Sequence, residues 1–291
     1  MELKEIIKSE IDKTIKYIFE INKQVIEFSY IDNGTGKDII CVPCQTMCNM
    51  SCTFCHLTDY VGKIPLKDLS RHEIIEGVEH IINDLGLGNR TILISYMGCG
   101  EPMDNIGAVH GSMVELDNDY DNIRFGMATM LPKSRWEEFF KLAKWIKDGK
   151  INLKVHLSLH FNSDELRKKW MPAALEIKPS IDALNFYKSL TGNDIEVHYT
   201  IMDGINDSDE DMYSLEMSLN AGTTIKFMMF SEKENLDAKR TSKARINEIK
   251  NYLVGTGHTV EYYEPPGNDI GASCGQFLTN FQEEEKNYTI D

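Results

Sequence analysis

Short apolar runs alternate with longer amphipathic segments along most of this chain. Six runs rich in β-branched and aromatic residues predict strands, at residues 39–43, 91–97, 124–129, 154–160, 195–202 and 224–230. Five segments with apolar residues at helical spacing predict helices, at residues 72–85, 134–147, 180–190, 209–219 and 242–253. This alternation is typical of βαβ units and a parallel sheet. We therefore predict an α/β protein with a partial or open (β/α) barrel of six units.

Polar side chains recur where several of the predicted strands end. A cysteine-rich segment follows the first strand, and Gly100 and Glu101 follow the second. Ser158 and His160 close the fourth strand. In barrels of this kind the active site lies at the carboxyl ends of the strands. The strand ends therefore predict an enzyme, without reference to the cysteine spacing.

Length and composition further restrict the type of protein and its cellular compartment. A chain of 291 residues that is 42% hydrophobic can form one large domain with a sizeable core. The first residues are charged and contain no apolar signal-peptide segment, and no apolar run approaches membrane-spanning length. Seven cysteines without a secretion signal indicate a reducing cytoplasm, where thiols serve metal binding or catalysis. We expect a cytoplasmic protein with no membrane partner.

The charge balance argues against non-specific binding to nucleic acid. With 31 basic and 46 acidic residues the net charge is −15, which disfavours contact with phosphates. Two local basic segments, at residues 133–154 and 167–169, are candidates for a nucleic-acid face. Solvent-facing helix surfaces commonly have the same composition, so these segments carry little weight.

Three cysteines, Cys48, Cys52 and Cys55, stand in the pattern C-x-x-x-C-x-x-C. This spacing gathers three thiolates on one loop, where sulfur ligands can hold an iron–sulfur cluster. A fourth cysteine ligand is missing from the pattern, so one iron would be open to another ligand.

Two other interpretations of these cysteines compete. A structural zinc ion could use the same thiolates with Cys44 or His56 as its fourth ligand. A zinc ribbon or finger usually has a second paired half, and none follows in this sequence. The cysteines could also be buried core residues, but five of the seven fall between residues 41 and 55. The cluster is favoured, and zinc stays as the alternative.

The triplet resembles the signature of radical S-adenosylmethionine (SAM) enzymes, in which SAM occupies the open iron. Beyond the triplet, residues 12–281 resemble the dual-specificity adenosine methyltransferases of 23S ribosomal RNA, which act on carbon 2 or carbon 8 of adenine. The motifs that carry this resemblance, in the family's order, are Cys41 seven residues before Cys48, Gly100-Glu101-Pro102, Ser158-Leu159-His160 with Arg167, Asp203-Gly204 with Asn206, and Ala272-Ser273-Cys274-Gly275.

The resemblance implies a partial (β/α)6 radical SAM barrel at residues 39–281, an N-terminal extension at 1–38 and an acidic tail at 282–291. It implies two cofactors, SAM and a [4Fe–4S] cluster held by Cys48, Cys52 and Cys55. The residues that match SAM contacts of the family are Gly100, Glu101, Ser158, Leu159, His160 and Ser231. A reducing protein of the flavodoxin or ferredoxin type is the implied electron donor.

The resemblance also implies an unusual route of methyl transfer. Cys274 first receives a methyl group from one SAM by displacement. A second SAM is reductively cleaved to a 5′-deoxyadenosyl radical, which abstracts hydrogen from the methylated cysteine. The resulting carbon radical adds to the adenine ring, and Cys41 then helps to release the adduct as a Cys41–Cys274 disulfide. Nucleophilic and radical chemistry are thus divided between protein and cofactor.

The chain departs from the family in its RNA-binding and peripheral SAM-binding parts. The core begins almost at once, so the family's N-terminal accessory domain is expected to be missing, and residues 283–285 are acidic where the family is basic. Ser231 replaces an asparagine that contacts SAM, and residues 127–130 replace a Ser-Thr-Ser-Gly motif. Loss of phosphate contacts lowers RNA affinity steeply.

Three hypotheses follow from these observations. The first is a cysteine-relay methyltransferase acting on an sp2 carbon, most simply of adenine in RNA. The second is a radical SAM enzyme of the same lineage that acts on a free nucleotide, another small molecule or a peptide. The third is a non-catalytic iron–sulfur or zinc protein. Cys274 favours the first two, because a structural metal site has no use for it.

Overall fold

The computed structural model describes residues 1–32, 34 and 36–272. These residues form one ten-stranded sheet flanked by helices. Its strands are β1 (Glu2–Lys8), β2 (Ile15–Ile21), β3 (Gln24–Asp32), β4 (Asp38–Cys41), β5 (Ile92–Tyr96), β6 (Ile123–Thr129), β7 (Leu153–Ser158), β8 (Ile195–Ile201), β9 (Thr224–Met229) and β10 (Thr259–Tyr263). Its α-helices are α1 (Arg71–Leu85), α2 (Ile106–Asp119), α3 (Trp136–Gly149), α4 (Asp164–Trp170), α5 (Ile177–Thr191), α6 (Asp209–Ser218) and α7 (Lys243–Gly255).

The strand order in the sheet follows the order along the chain. Strands β1 to β4 are antiparallel neighbours, whereas β4 to β10 are parallel, and at least one helix connects each parallel pair. The six predicted strands correspond to β4–β9, and β10 is a seventh parallel strand that the sequence did not predict. The predicted α/β architecture with a parallel sheet is confirmed.

Side-chain alternation separates the apolar core from the barrel interior. Successive residues of a strand point to opposite faces of the sheet. On β8, Val197 and Tyr199 are buried in the main apolar core, whereas His198 and Thr200 line a cavity inside the barrel. The interior is therefore polar along this strand, and functional side chains can face one another across it.

The helix predicted at residues 209–219 corresponds to α6. Ser208 caps it, because its hydroxyl accepts a hydrogen bond from Asp211 N and the Asp211 carboxylate accepts one from Ser208 N. After the helix ends at Ser218, Gly222 forms a left-handed turn before β9. Among the described helices, none has the length and apolarity needed to cross a membrane.

The first strands hold the last described residues in place. Lys16, buried in β2, forms an ion pair with Glu27 at 3.2 Å and donates a hydrogen bond to Gly271 O at 3.0 Å. Asp12 Oδ2 accepts from Gly267 N at 2.8 Å. The segment that leads to Cys274 is thus attached to the N-terminal strands, although Cys274 itself lies outside the described residues.

Candidate active site

The loop after β4 carries the three patterned cysteines to the mouth of the barrel. Cys48, Cys52 and Cys55 line a cavity of about 210 Å³ at the carboxyl ends of the parallel strands. Other parts of the mouth fix the loop. Thr53 N donates to Trp170 O at 2.9 Å, and Lys233 Nζ donates to Cys55 O at 3.2 Å. Three sulfurs are therefore presented to one cavity.

The spacing of the sulfurs favours a cluster over a single zinc ion. Tetrahedral zinc with Zn–S bonds of about 2.3 Å needs sulfurs about 3.8 Å apart. Across the described part of the chain, the one group of three His, Cys, Asp or Glu ligand atoms within 4.8 Å of one another contains no cysteine. Cys44, a candidate fourth zinc ligand, is buried with its Sγ 3.6 Å from Cys99 O, and neither Cys44 nor His56 lines the cavity. The three sulfurs thus do not form the compact group that a single zinc ion requires, and the cluster remains the favoured interpretation.

Burial determines the protonation of these thiols in the ligand-free protein. Burial raises the pKa of Cys48 to about 12 and also raises the pKa values of Cys52 and Cys55. Such thiols are protonated at neutral pH unless a positively charged metal centre binds them and displaces the protons. The buried thiols would hold the cluster as thiolates.

Glu101, just beyond β5, contributes a buried carboxylate to the same cavity. It accepts hydrogen bonds from Thr129 Oγ1 at 2.6 Å, Met103 N at 3.1 Å and Met130 N at 3.2 Å. Gln45 Oε1 accepts from Glu101 N at 3.0 Å and so fixes its backbone. Burial outweighs these bonds and raises the pKa of Glu101 to about 7. A cationic ligand group, such as the amino group of SAM, would stabilise the ionised carboxylate.

Gly100 allows this turn to pack against the segment that leads into the cluster loop. Its φ is +105°, a conformation that L side chains rarely adopt. A Cβ at this position would lie 2.7 Å from Cys44 Sγ and 2.8 Å from Gln45 Oε1. Only glycine fits without displacing the residue that fixes Glu101.

The raised pKa of Glu101 predicts a pH-dependent stability for the ligand-free protein. The folded state binds a proton between pH 4.5, the ordinary pKa, and about 7. The unfolded state does not, so stability falls as pH rises through this window, by about 3 kcal/mol in total. Urea unfolding at pH 5 and pH 8 should show this loss in the wild type. Glu101→Gln should lack the component, and an unchanged pH slope in the variant would contradict the assignment.

Most of the residues that match SAM contacts surround this cavity. Gly100, Glu101, Ser158, His160 and Ser231 all line it. Among the described residues the buried Ser231 Oγ has no hydrogen-bond partner, so it is available to a ligand. Leu159 differs, because its side chain is buried in the main apolar core and does not line the cavity.

The polar lining residues missed in the sequence analysis include Thr129 and Thr200. Thr129 lies at the end of β6, where it donates to Glu101, and Thr200 lies on β8. Thr200 could have been found from the two-residue alternation of the strands, which turns it inward with His198. Thr129 could have been found as the polar end of its predicted strand, within the residues 127–130 that replace the Ser-Thr-Ser-Gly motif.

His160 is held by the backbone of Thr200 and the side chain of Asn206. Its φ is +57°, and its Nδ1 accepts from Thr200 N at 2.9 Å. Asn206, which belongs to the motif with Asp203 and Gly204, is fully buried and donates to His160 O at 2.8 Å, so it supports the cavity wall without lining it. Phe54 of the cluster loop packs edge-on against the His160 ring at 5.2 Å.

Arg167 corrects an expectation about the basic segment at residues 167–169. It is 1% exposed and cannot belong to a solvent-facing basic surface. Its guanidinium donates to Met130 O at 2.9 Å, Ser158 O at 2.9 Å, Leu175 O at 2.7 Å and also to Leu159 O. Arg167 therefore joins the ends of β6 and β7, which carry cavity residues.

Cys41 lies in a second cavity next to the first. This cavity has a volume of about 120 Å³ and is lined by Cys41, Ser95, His156 and Ala272, among others. Met97, His198 and Met228 line both cavities and so form the boundary between them. Ala272 is the last described residue, and Cys274 lies two positions beyond it, outside the described residues.

A parallel barrel that presents three thiols to a ligand cavity at its strand ends defines a class: enzymes that form radicals from SAM with an iron–sulfur cluster. The profile of the Radical SAM superfamily matches residues 42–215, and the chain belongs to that superfamily. The superfamily uses a [4Fe–4S] cluster and SAM, so the predicted cofactors are confirmed.

The similar proteins narrow the class to methyltransferases. "Probable dual-specificity RNA methyltransferase RlmN" of Lachnospira eligens is 29% identical over 290 residues, or 95% of this chain and 77% of that protein. A protein of the same name from Clostridium botulinum is 29% identical over 96% of this chain and 79% of that protein. A radical SAM methyltransferase from Sphaerobacter thermophilus superposes with a TM-score of 0.84 and 25% identity, covering 94% of this chain and 80% of that one. The chain is a methyl-transferring enzyme of the superfamily.

Proposed function

We propose that this protein methylates an sp2 carbon of adenine in RNA through a methylated cysteine. Cys274 is the proposed methyl carrier and Cys41 the proposed resolving thiol. The observation that carries the proposal is the pair of adjoining cavities. One presents the cluster thiols and Glu101, and the other is lined by Cys41 and Ala272. A substrate carbon in the second cavity would be next to Cys41 and to the cofactor cavity, and Cys274 follows Ala272 by two positions in the sequence.

In this proposal the chain's own residues bind the cluster and bind and orient SAM. Cys48, Cys52 and Cys55 would hold the cluster, which supplies the electron for reductive cleavage of SAM. Glu101 would bind the SAM amino group and lose its proton on doing so. Ser231 Oγ and the His160 imidazole would contact the rest of SAM, since both lie in the cavity wall.

RNA is the proposed substrate because the curated relatives described above are RNA methyltransferases. The net charge of −15 is the observation that favours the second candidate, a free adenine nucleotide. The small Cys41 cavity would accept a single base in either case. An electron donor of the flavodoxin or ferredoxin type completes the proposed system.

The test begins without a substrate. The anaerobically reconstituted protein is given SAM with a deuterated methyl group, and cysteine peptides are mapped by mass spectrometry. The labelled methyl is expected on Cys274, and Cys274→Ala should still cleave SAM but transfer no methyl. Cys99→Ala is the matched control, because Cys99 is buried in an apolar cluster and lines neither cavity. An unlabelled Cys274 in a protein that cleaves SAM would refute the relay.

The labelled protein then identifies the acceptor. Ribosomal RNA, short RNA hairpins and free adenine nucleotides are supplied in turn, and label is sought in each. Label in RNA alone supports the first candidate, and label in nucleotides alone supports the second. Cys41→Ala should trap a covalent link between Cys274 and the acceptor. Normal product release by that variant would contradict the role of Cys41.

A further inference from the structure

A compact polar group lies inside the barrel that the proposed chemistry does not use. His156 on β7 and Glu196 and His198 on β8 are all buried. His156 Nδ1 lies 3.0 Å from His198 Nε2 and 3.2 Å from Glu196 Oε1, and His198 Nε2 lies 3.0 Å from the same carboxylate oxygen. Three proton-carrying or proton-accepting atoms thus form a closed triangle.

This group forms part of the wall of the Cys41 cavity. Both His156 and His198 line that cavity, and His198 also lines the cofactor cavity. His156 Nε2 extends toward Gly126 on β6, where an added Cβ would lie 3.3 Å from it. In the sheet, Gly126 on β6 pairs with Ser95 on β5, and Ser95 pairs with Cys41 on β4. The His156 imidazole therefore faces the strands that line the Cys41 cavity.

The three atoms of the triangle cannot all be joined by hydrogen bonds at the same time. Burial keeps the pKa values of His156 and His198 low, while hydrogen bonds from both rings keep the pKa of Glu196 below its usual range against the effect of burial. Two neutral imidazoles and one carboxylate leave at least one of the three edges without a proton well placed to bridge it. Each neutral imidazole keeps one unprotonated nitrogen, and the adjacent Glu196 carboxylate favours the imidazolium that forms when this nitrogen accepts a proton.

The same spacing could suit a divalent metal, because two histidines and a carboxylate with close ligand atoms form a common facial site. The charges around Glu196 argue against it. Lys226 Nζ lies 2.9 Å from Glu196 Oε1, and Lys154 forms an ion pair with the other oxygen. Two ammonium groups already neutralise this carboxylate and would repel a dication.

The surrounding charges also give the group a route to solvent. Glu196 is fully buried, but the side chain of Lys154 is 35% exposed and that of Lys226 is 21% exposed. The buried Glu196 carboxylate is thus in direct contact with two side chains that reach solvent. The titratable or charged groups on the neighbouring elements are Cys41 on β4, Lys154 on β7, His160 beyond β7, Lys226 on β9, and Glu261 and Tyr263 on β10.

We propose that His156, Glu196 and His198 form the proton relay of the Cys41 cavity, an inference that rests on the proposed methylation of an sp2 carbon. That reaction removes a proton from the ring carbon and later adds one to the exocyclic carbon. In the first transfer the ring C–H bond breaks, its electron pair stays on the ring, and the proton passes to an imidazole nitrogen. In the second, Cys41 gives its thiol proton to the relay as its sulfur bonds to Cys274. The Cys274 S–C bond breaks with its electron pair on the exocyclic carbon, which takes a proton from the relay, so the relay passes one proton in total to solvent. The adduct radical must also lose one electron, which the cluster held by Cys48, Cys52 and Cys55 would accept.

Two variants keep the shape of the relay and remove its basicity. His156→Asn can place an amide nitrogen where Nδ1 lies, and His198→Gln can place one where Nε2 lies. Methyl loading of Cys274 and SAM cleavage should be as in the wild type for His156→Asn, because His156 lines the Cys41 cavity and not the cofactor cavity. Resolution of the covalent Cys274–substrate adduct, followed by intact-protein mass spectrometry, should slow about 10²-fold or more. The remaining rate should rise with pH, because hydroxide replaces the lost base, whereas the wild-type rate stays nearly flat from about pH 6 to 8.

The control variant is His110→Asn, on α2 against Trp145 and outside the barrel, which should match the wild type in every readout. Wild-type adduct resolution in both relay variants would overturn the relay and leave the proposed function intact. A wild-type protein without methyl on Cys274 would overturn both. A stoichiometric metal beyond the cluster iron, measured by elemental analysis and lost in both variants, would show a metal site and overturn the relay.

Discussion

Replacing Cys48 with alanine is expected to leave a folded protein that cannot hold an iron–sulfur cluster. The three thiols of the mouth face one cavity, and no described carboxylate or imidazole lies close enough to two of the sulfurs to form a compact ligand group with them. A cluster with two protein ligands would be lost during anaerobic desalting. Iron and sulfide per chain, together with the visible absorption of the cluster, measure the effect after reconstitution.

Cys44→Ala provides the matched control for this experiment. Cys44 is only four residues from Cys48, but it is buried and its Sγ faces Cys99 O. It should lose a little stability and retain a full complement of iron. Retention of the cluster by Cys48→Ala, or its loss in Cys44→Ala, would show that the ligands have been assigned incorrectly.

Arg167→Met is expected to destabilise the protein by about 4 kcal/mol, because it leaves several buried carbonyl groups without donors. The guanidinium serves four carbonyl oxygens, two of them at the end of β7, and no ion pair is described for it. Methionine matches much of the volume, so the loss arises mainly from the hydrogen bonds. The free energy of unfolding from urea titration measures it directly.

A variant of the neighbouring Lys168 distinguishes the loss of these hydrogen bonds from a general loss of positive charge. Lys168 lies in the same helix and is exposed, so Lys168→Met should change the stability by less than about 0.5 kcal/mol. Arg167→Lys should fall between the two, since an ammonium group has three donors and cannot span the same carbonyls. Equal stabilities for Arg167→Met and Lys168→Met would contradict the structural role of Arg167.

The strands that carry the site were predictable because their outward faces are strongly apolar. Strands β4–β9 read as short apolar runs, and the turns after them contain the polar residues that line the mouth. β10 was missed because its residues 259 and 261 are exposed, as expected for a strand at the edge of the sheet. α2 was missed because it contains two poor helix formers, Gly107 and Gly111. Gly111 leaves space for the Arg71 side chain, which packs against it.

The polar interior of the barrel was harder to predict. A single histidine on a strand usually indicates a packed core residue, and His156 and His198 are separated by 42 positions in the chain. Their meeting depends on the register between β7 and β8, which local patterns do not determine. The buried position of Arg167 was missed for a similar reason, because two exposed lysines follow it directly.

The hydrogen bonds between the two ends of the described chain limit how the protein can be shortened. Residues 1–38 look like a dispensable extension from the sequence, yet Ser9, Asp12 and Lys16 bind the segment at residues 267–272. Truncating these strands would release the segment that leads to the proposed methyl carrier. A fragment cut at residue 39 would therefore retain Cys48, Cys52 and Cys55 and lose the contacts that anchor residues 267–272.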